Sequence, residues 1–229
     1  YAAITERNVV AQQICSIEDP IEIRIPGTAQ MQVNVRAGLT FAVGLRSFLR
    51  QDPNVIAVGE MRDPETAAVA ASAALCGQLV LTTLHSGNAL GAFERLRELG
   101  MTSRRIGNAV TAIASQRLLR RLCAECRVPA AAGAEAVRFG VARGSPANVA
   151  RGCEACAGSG YRGRMGVFEI VAMSSELRHA IETEAAPGEL RDAALRGGYL
   201  PMARAAGQLV TTGESSVEEA SRVLSAGLA

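Results

Sequence analysis

Acidic residues and a histidine follow three apolar runs of this sequence, each near the point where a run ends. The runs cover residues 14–17, 55–58 and 79–84, and the polar groups that follow them belong to Glu18 and Asp19, Glu60, and His85. A group at such a position can meet a metal ion or a substrate in a crevice. A single acid after a strand is usually a solvated loop residue, and an isolated histidine is usually a hydrogen-bonded core residue. The combination of all three strand ends favours a site.

Four of the six cysteines form two close pairs, separated by residues 127–152. A two-residue spacer within each pair lets a tight turn point both sulfurs at one ion, and two such pairs complete a tetrahedron around zinc. Four protein ligands leave no open position, so the sequence predicts a structural metal site. Disulfides would need an oxidising compartment, which nothing in the sequence indicates. The predicted ligands are Cys123, Cys126, Cys153 and Cys156, whereas Cys15 and Cys76 lie in apolar surroundings and are predicted core residues.

The elements that carry the strand-end groups alternate between strand and helix. Asp63 is a predicted helix cap and Pro64 suits the first helical position, so a helix should run through Leu75 and end at Cys76 and Gly77. A second helix is predicted over residues 40–51. Strands joined by helices pair in parallel, and parallel strands bring their carboxyl ends to one edge of a sheet. We therefore expect the strand-end groups to share one rim of an α/β domain.

Length and composition limit the possible classes of protein. The chain has 229 residues, of which 48% are hydrophobic, so it can bury a substantial core. No apolar run reaches the length of a membrane helix and no signal segment stands at the N-terminus, which predicts a soluble, cytoplasmic protein. A net charge of +2 and an aromatic content of 3% argue against a nucleic-acid partner. All 24 basic residues are arginines.

Four segments resemble motifs of one family. Residues 16–22, 45–54, 59–63 and 81–86 are similar in order and spacing to the Asp box, the Walker B segment and the His box of the secretion-ATPase superfamily, with the type II secretion and type IV pilus assembly ATPases as the nearest match. The resemblance implies a RecA-like, mostly parallel sheet flanked by helices. It also implies a homo-hexamer that hydrolyses ATP with Mg²⁺ and is peripheral at the inner membrane.

The resemblance assigns roles to single residues. Glu60 matches the catalytic glutamate, Glu18 and Asp19 match the Asp-box acids near the metal and water, and His85 matches a histidine thought to sense the phosphate end. Arg62 is expected to hold Glu60 or to relay to a neighbouring subunit. These residues would surround Mg-ATP. Arg46 and Arg50 are candidates for the arginine that acts across a subunit interface, although most surface arginines are merely solvated.

One family motif is missing. The phosphate-binding loop needs glycines followed by a lysine and then Ser or Thr, and a chain without lysine cannot contain it. We expect the loop to lie upstream of residue 1, so that this fragment is not active alone. The expected division is a RecA-like core over residues 1–122, a tetracysteine zinc insert over residues 123–160 and a helical C-terminal region over residues 161–229. The cysteines are similar to those of assembly and export motors rather than retraction motors.

Four further segments have predicted structures. Residues 21–36 alternate like a hairpin outside the main sheet, and residues 129–150 are a predicted variable or poorly packed loop. A helical stretch is predicted near residues 104–121, with apolar positions at Ile106, Val110, Ile113 and Leu118. Its basic face, formed by Arg104, Arg105, Arg117, Arg120 and Arg121, is either solvated or uses Arg117 or Arg120 to contact nucleotide or a platform protein. Short helices are expected over residues 176–183, 188–195, 201–210 and 215–224.

The resemblance also names partners, and it leaves alternatives. Inner-membrane platform and secretion-system proteins are the expected partners, with membrane association through them. A second hypothesis is a non-catalytic, zinc-stabilised assembly module that binds the inner-membrane platform. A third takes the cysteine pairs and arginines as a nucleic-acid zinc ribbon, against which the near-neutral charge and scarce aromatics argue.

Overall fold

The computed structural model describes residues 1–7 and 11–224 of the chain. By their internal contacts these residues form two units. The first unit comprises Tyr1–Ser86, Leu90–Thr111 and Met173–Ala193, and the second comprises Gly87–Ala89, Ala112–Ala172 and the residues from Ala194 onward. The three-part division expected from the sequence stays a prediction.

Seventeen helices and strands are described, numbered here in chain order, together with three short 3-10 turns. They are α1 (Ala2–Arg7), β1 (Ile14–Glu18), β2 (Ala29–Gln32), α2 (Phe41–Leu49), β3 (Val55–Val58), α3 (Pro64–Leu75), β4 (Leu79–Thr82), α4 (Gly91–Glu98), α5 (Ser103–Ala109), β5 (Ala112–Leu122), β6 (Val128–Ala131), β7 (Pro146–Val149), β8 (Tyr161–Ala172), α6 (Ser175–Glu182), α7 (Pro187–Arg196), α8 (Met202–Thr211) and α9 (Val217–Leu224).

The first unit is built on a four-stranded parallel sheet in the order β2-β1-β3-β4. The two central strands, β1 and β3, are buried along their whole length, as expected of mainly apolar strands that are covered on both faces. In register, Ile17 lies opposite Val58 and Val58 lies opposite Thr82. The carboxyl ends of three strands therefore reach the same edge of the sheet, and the α/β fold with a mostly parallel sheet is confirmed.

The helices that join these strands begin where the sequence predicts. The Thr40 hydroxyl accepts a 3.3 Å hydrogen bond from the Val43 N–H at the start of α2, and Asp63 Oδ1 accepts a 2.8 Å bond from the Thr66 N–H at the start of α3. These contacts satisfy N–H groups that have no partner inside a helix. Gly44 lets α2 lie close to the sheet, since a Cβ there would stand 2.1 Å from the Ile17 Cδ1 atom.

The predicted hairpin over residues 21–36 is wrong. Only β2 forms, and it pairs in parallel with β1 as part of the main sheet. The residues before β2 are held by a side chain instead of a strand ladder: Gln30 Oε1 accepts from the Ile25 N–H at 2.7 Å, and Gln30 Nε2 donates to the Ile23 carbonyl at 2.9 Å. Alternating apolar residues indicate a strand with one half-buried face, but they do not determine which other strand pairs with that strand.

The predicted helical stretch over residues 104–121 is also wrong. Helix α5 ends at Ala109, and the chain continues as β5 from Ala112 to Leu122. The exposure of β5 alternates from residue to residue over most of its length, as expected of a strand. Of the apolar positions used for the helix, only Ile113 and Leu118 lie in β5, and pairing with the distant β8 decides for the strand.

The second unit contains a long antiparallel ribbon of β5 and β8, in register from Ala112 opposite Ala172 to Leu122 opposite Tyr161. One face of the ribbon lies on α8 and α9, and its core includes Leu119, Val167 and Val210. The loop predicted over residues 129–150 is instead ordered. Strands β6 and β7 pair within it, and a 3-10 turn buries Phe139 to 1% exposure. The segment contains one aromatic residue, so its composition did not indicate that Phe139 would be buried in a core.

The four short helices predicted near the C-terminus are confirmed as α6 to α9, with their ends within two residues of the predicted ones. Across the described residues, no helix has both the length and the apolar character needed to cross a membrane.

Candidate functional site

Backbone hydrogen bonds hold the ends of β1, β3 and β4 side by side. The Gly59 N–H donates to the Ile17 carbonyl at 2.8 Å, which joins the end of β3 to the end of β1. The Thr83 hydroxyl donates to the Gly59 carbonyl at 2.7 Å, and the Met61 N–H donates to the Thr83 carbonyl at 3.1 Å. Gly59 suits this position because a Cβ there would stand only 3.3 Å from the Glu18 Cα atom. The residues that follow each strand are thus fixed at one rim.

Three predicted site residues meet at Glu60. Its Oε2 atom forms an ion pair with Arg62 Nε, and His85 Nε2 lies 3.8 Å from the same oxygen. The Glu60 side chain is 15% exposed, whereas those of Arg62 and His85 are 66% and 88% exposed. Within the described part of the chain, Glu60 Oε1 has no hydrogen-bond partner. The carboxylate is therefore held on one oxygen and free to accept a proton or a hydrogen bond on the other.

Glu18 is buried at the same rim and is bound by three neutral donors. Oε1 accepts from the Ser16 hydroxyl at 2.5 Å and from Gln30 Nε2 at 3.0 Å, and Oε2 accepts from the Tyr1 hydroxyl. Burial alone raises the pKa of Glu18, but the hydrogen bonds from Ser16, Tyr1 and Gln30 outweigh it and lower the pKa below its ordinary value. The same contact with Glu18 raises the pKa of the Tyr1 phenol. Glu18 is therefore anionic and rigidly oriented.

Sequence reasoning missed the three groups that orient Glu18. Ser16 had a signal, because it is a polar residue between Cys15 and Ile17 in an apolar run that forms a wholly buried strand. Gln30 and Tyr1 had none, since their contacts depend on how β2 and α1 lie against β1.

Asp19 and the candidate arginines have different surroundings. Asp19 is exposed, and its carboxylate makes no hydrogen bond to any residue in the ranges that the structure describes. Arg46 is paired with Glu65, at 2.8 Å between NH2 and Oε1, and Arg50 is exposed with no partner among the described residues. Asp19 and Arg50 are thus free to bind a ligand, whereas Arg46 would first have to leave Glu65.

The four predicted metal ligands come together in the second unit. Their sulfur atoms lie within 4.8 Å of one another, with separations of 3.9 Å for Cys123 and Cys153, 3.8 Å for Cys126 and Cys156, and 3.7 Å for Cys153 and Cys156. Four thiolates about 2.3 Å from one zinc ion form a tetrahedron with edges of about 3.8 Å. The donor set and its geometry therefore fit zinc.

Backbone groups around the cysteines favour thiolates. The N–H groups of Cys153 and Gly160 each donate to Cys156 Sγ at 3.2 Å, and they lower the pKa of Cys156 to about 6. Burial, in contrast, raises the pKa of Cys126 to about 12. Residue 160 lies so close to Ala150 that only glycine fits there, because a Cβ on residue 160 would stand 2.6 Å from the Cβ of Ala150. Of the remaining cysteines, Cys15 is buried as predicted, but Cys76 is exposed at the end of α3, where no core covers it.

The arginines of β5 are engaged within the second unit. Arg120 Nε donates to Glu219 Oε2 at 2.9 Å, and Arg121 NH2 lies 2.9 Å from Glu214 Oε2. Arg117 NH1 donates to the Gln116 carbonyl at 2.9 Å, and its NH2 donates to the Gly87 carbonyl at 3.1 Å. A nucleotide or platform contact by Arg117 or Arg120 stays a prediction, and it would compete with these bonds.

Glu219 is a fully buried carboxylate that sequence reasoning did not single out. Arg222 donates to both of its oxygens, at 2.8 and 2.6 Å, and Arg120 contributes both its guanidinium and its backbone N–H. Burial acts to raise the pKa of Glu219, but these bonds prevail and lower it to about 2. The spacing of Glu219 and Arg222 along α9 was a usable signal, whereas the partner on β5 was not.

Replacing Glu219 by glutamine (Glu219→Gln) is expected to cost about 2 to 4 kcal/mol of the free energy of unfolding at pH 7, because two arginines lose their buried partner. The pKa of Glu219 is about 2 in the folded state, below its ordinary 4.5. The contribution of ionised Glu219 to the free energy of unfolding is therefore complete above about pH 4.5 and is lost as the pH falls towards 2. Urea unfolding at pH 7 and pH 3 measures both effects.

Glu214→Gln is the matched control, since its pair with Arg121 is exposed and should be worth less than about 1 kcal/mol. Equal losses in the two variants at pH 7 would contradict the role of the buried carboxylate.

Comparison with known proteins gives a consistent result. A family model described as "Type II/IV secretion system protein" matches residues 1–222. The chain is similar to the type II secretion system protein E of Aeromonas hydrophila, with 42% identity over 227 residues, or 97% of this chain and 45% of that protein. It is also similar to the type IV pilus assembly ATPase PilB of Thermus thermophilus, with 45% identity over 80% of this chain and 21% of that protein.

Among solved structures, the pilus retraction motor PilT with bound ADP is similar to this chain, with a TM-score of 0.68 and 25% identity over 96% of this chain and 55% of that chain. The chain spans about half the length, or less, of the curated relatives named above.

Proposed function

The chain belongs to the type II/IV secretion system protein family, and we propose that it is the C-terminal part of an ATPase that powers protein export through a type II secretion system or the assembly of a type IV pilus. The proposal is supported by the rim at which Glu60 stands between Arg62 and His85 with one carboxylate oxygen free. The names of the relatives, which include a pilus assembly ATPase, support the same activity.

The residues of the rim suit hydrolysis of a phosphoanhydride. Glu60 Oε1 would orient the attacking water and accept its proton, while Arg62 keeps the other oxygen in place. His85, an exposed hydrogen-bonding group of the rim, would contact the phosphate end. Glu18 and Asp19 are oxygen donors of the kind that Mg²⁺ and its bound water prefer, and Asp19 is the one without a competing partner. Bound Mg²⁺ would neutralise charge on the phosphates.

The phosphate-binding loop is proposed to lie in a part of the protein outside this sequence. This chain has no lysine, and it spans 45% of a relative that it matches over nearly its whole length. The full-length protein is proposed to act as a homo-hexamer in the cytoplasm, held at the inner membrane by platform and secretion-system proteins, with structural zinc in the second unit.

A direct comparison of this chain with the full-length protein tests the proposal. The full-length protein should bind ATP with micromolar affinity and hydrolyse it, whereas residues 1–229 alone should show no turnover because the lysine and the loop amides are missing. The measurements are calorimetric titration with ATP and Mg²⁺, and release of inorganic phosphate. Absence of ATP binding by the full-length protein would contradict the proposal.

The second candidate function is a non-catalytic assembly module. The tetracysteine cluster favours this alternative, because four convergent sulfur ligands in the second unit would hold a structural metal that takes no part in hydrolysis. A full-length protein that binds the membrane platform but no nucleotide would establish this alternative.

A further inference from the structure

One side chain of the first unit binds both the buried acid of the rim and the loop that follows that acid. Gln30 lies on β2, and its amide uses both N–H donors and its oxygen. Nε2 donates to Glu18 Oε1 at 3.0 Å and to the Ile23 carbonyl at 2.9 Å. Oε1 accepts from the Ile25 N–H at 2.7 Å. Gln30 therefore joins the Glu18 carboxylate to the middle of the loop between β1 and β2.

The loop over residues 21–25 depends on side chains for further backbone hydrogen bonds. The Ile21 N–H donates to Gln32 Oε1 at 3.3 Å, and the Glu22 N–H donates to the Tyr1 hydroxyl at 3.2 Å. An exposed segment without a strand ladder keeps one conformation only where such contacts are maintained. The conformation of this loop is therefore fixed mainly by side chains that lie on β2 and at the start of α1.

Asp19 lies between Glu18 and this loop. Its carboxylate is exposed and has no hydrogen-bond partner within the described ranges, so its position depends on the backbone on either side. Before it, the Glu18 carbonyl accepts from the Val33 N–H at 2.9 Å. After it, the loop begins only two residues further on, and consecutive Cα atoms are about 3.8 Å apart. The place of the free carboxylate at the rim thus depends on how firmly the loop is held.

We propose that Gln30 is a positioning residue for the acidic side of the nucleotide site, where it holds the Glu18 carboxylate and the loop after Asp19 in one arrangement. The inference rests on the proposed ATPase function and deepens it, because it gives β2 a part in ordering the oxygen donors of the rim. Gln30 contacts neither nucleotide nor metal. It acts through Glu18 and through the backbone of residues 21–25.

Two other side chains also bind Glu18, which limits the expected effect. The Ser16 hydroxyl donates to Oε1 at 2.5 Å, but Ser16 lies on the same strand as Glu18 and makes no contact with the loop in the described hydrogen bonds. The Tyr1 hydroxyl donates to Oε2 and also accepts from the loop. Both donors remain when Gln30 is replaced. We therefore expect a partial loss of turnover rather than a complete one.

Gln32 provides the matched control for a purely structural role. It is the same residue type, lies two residues further along β2, and also accepts from the loop, but it makes no described contact with Glu18. A contact that only stabilises the fold should lower the melting temperature without changing turnover in the folded protein. A positioning residue should change turnover at temperatures where the protein is fully folded.

The first test uses Gln30→Met in the full-length protein, because methionine has nearly the same length and no amide. We expect amide exchange at Ile25 to accelerate at least about tenfold and kcat for ATP to fall about tenfold, with KM for ATP changed less than about twofold. Gln32→Met should accelerate exchange at Ile21 and leave kcat within about twofold of wild type.

A second variant, Gln30→Glu, separates the two contacts of the amide and also replaces Gln30→Met if that variant does not fold. Its carboxylate offers an oxygen to the Ile25 N–H, but it has no N–H for Glu18 and carries the same charge as Glu18. Exchange at Ile25 should stay within about threefold of wild type, whereas kcat should fall at least about tenfold.

Three results would overturn the proposal. They are unchanged exchange at Ile25 in Gln30→Met, wild-type kcat in either variant of Gln30, and an equal loss of kcat in Gln32→Met. Exchange is measured without nucleotide. A wild-type, full-length protein that hydrolyses no ATP therefore refutes the proposed function, while exchange at Ile25 still shows whether Gln30 holds the loop.

Discussion

Glu60→Gln in the full-length protein is expected to lower kcat for ATP about 100- to 1000-fold, the largest effect of any single change at the rim. Glutamine keeps the size of the side chain and can still accept a hydrogen bond, but it cannot take a proton from water. It also weakens the contact with Arg62, which is an ion pair in the native protein. Affinity for ATP should change less than about threefold, because the proposed role of Glu60 is in the reaction rather than in binding.

Phosphate release measured over a range of ATP concentrations separates these two effects. Glu98→Gln is a suitable control, since Glu98 is 56% exposed and pairs with Arg95 three residues before it. It should leave kcat within about twofold of wild type. If Glu60→Gln retained near wild-type turnover, the catalytic assignment would be withdrawn.

The second large effect is expected at the tetracysteine site. We expect the wild-type protein to bind one zinc ion per chain at this cluster. Cys153→Ser should abolish that binding and lower the melting temperature of the second unit by at least about 15 °C, since metal binding contributes directly to folding. A serine oxygen is a poor zinc ligand, and the three remaining sulfurs cannot close the tetrahedron. Chelation of zinc from the wild-type protein should have the same effect. Atomic absorption gives the metal content, and circular dichroism gives the melting temperature.

Cys76→Ser provides the control, because Cys76 is exposed and lies outside the cluster. It should change neither metal content nor melting temperature. The zinc prediction would be contradicted if metal-free wild-type protein had the same melting temperature as the metal-bound protein, because the second unit would then not depend on zinc.

The parts of the site that the sequence predicted are those that depend on local rules. A parallel sheet follows from apolar runs joined by helices, and the cap at Asp63 is as expected. Once the sheet is parallel, the ends of the strands must share an edge, which brings Glu60 and His85 within 3.8 Å of each other. The cysteine ligands were likewise predictable, because the spacing within each pair is a local requirement of one ion.

The parts that the sequence did not predict depend on partners far along the chain. Residues 112–122 become a strand only because β8 lies beside them, and no local feature distinguishes that strand from an amphipathic helix. Two of the three partners of Glu18 come from α1 and β2. Cys76 was assigned to the core by its neighbours, although it lies just past the buried face of α3. Each of these outcomes is decided by tertiary packing.

The most direct test of the account is a crystal structure of the full-length protein with Mg²⁺ and a non-hydrolysable ATP analogue. We expect the terminal phosphate to lie at the rim formed by the ends of β1, β3 and β4, with His85 in contact with it and a water molecule bound to Glu60 Oε1. A nucleotide bound elsewhere, with Glu60 and His85 facing solvent, would contradict it.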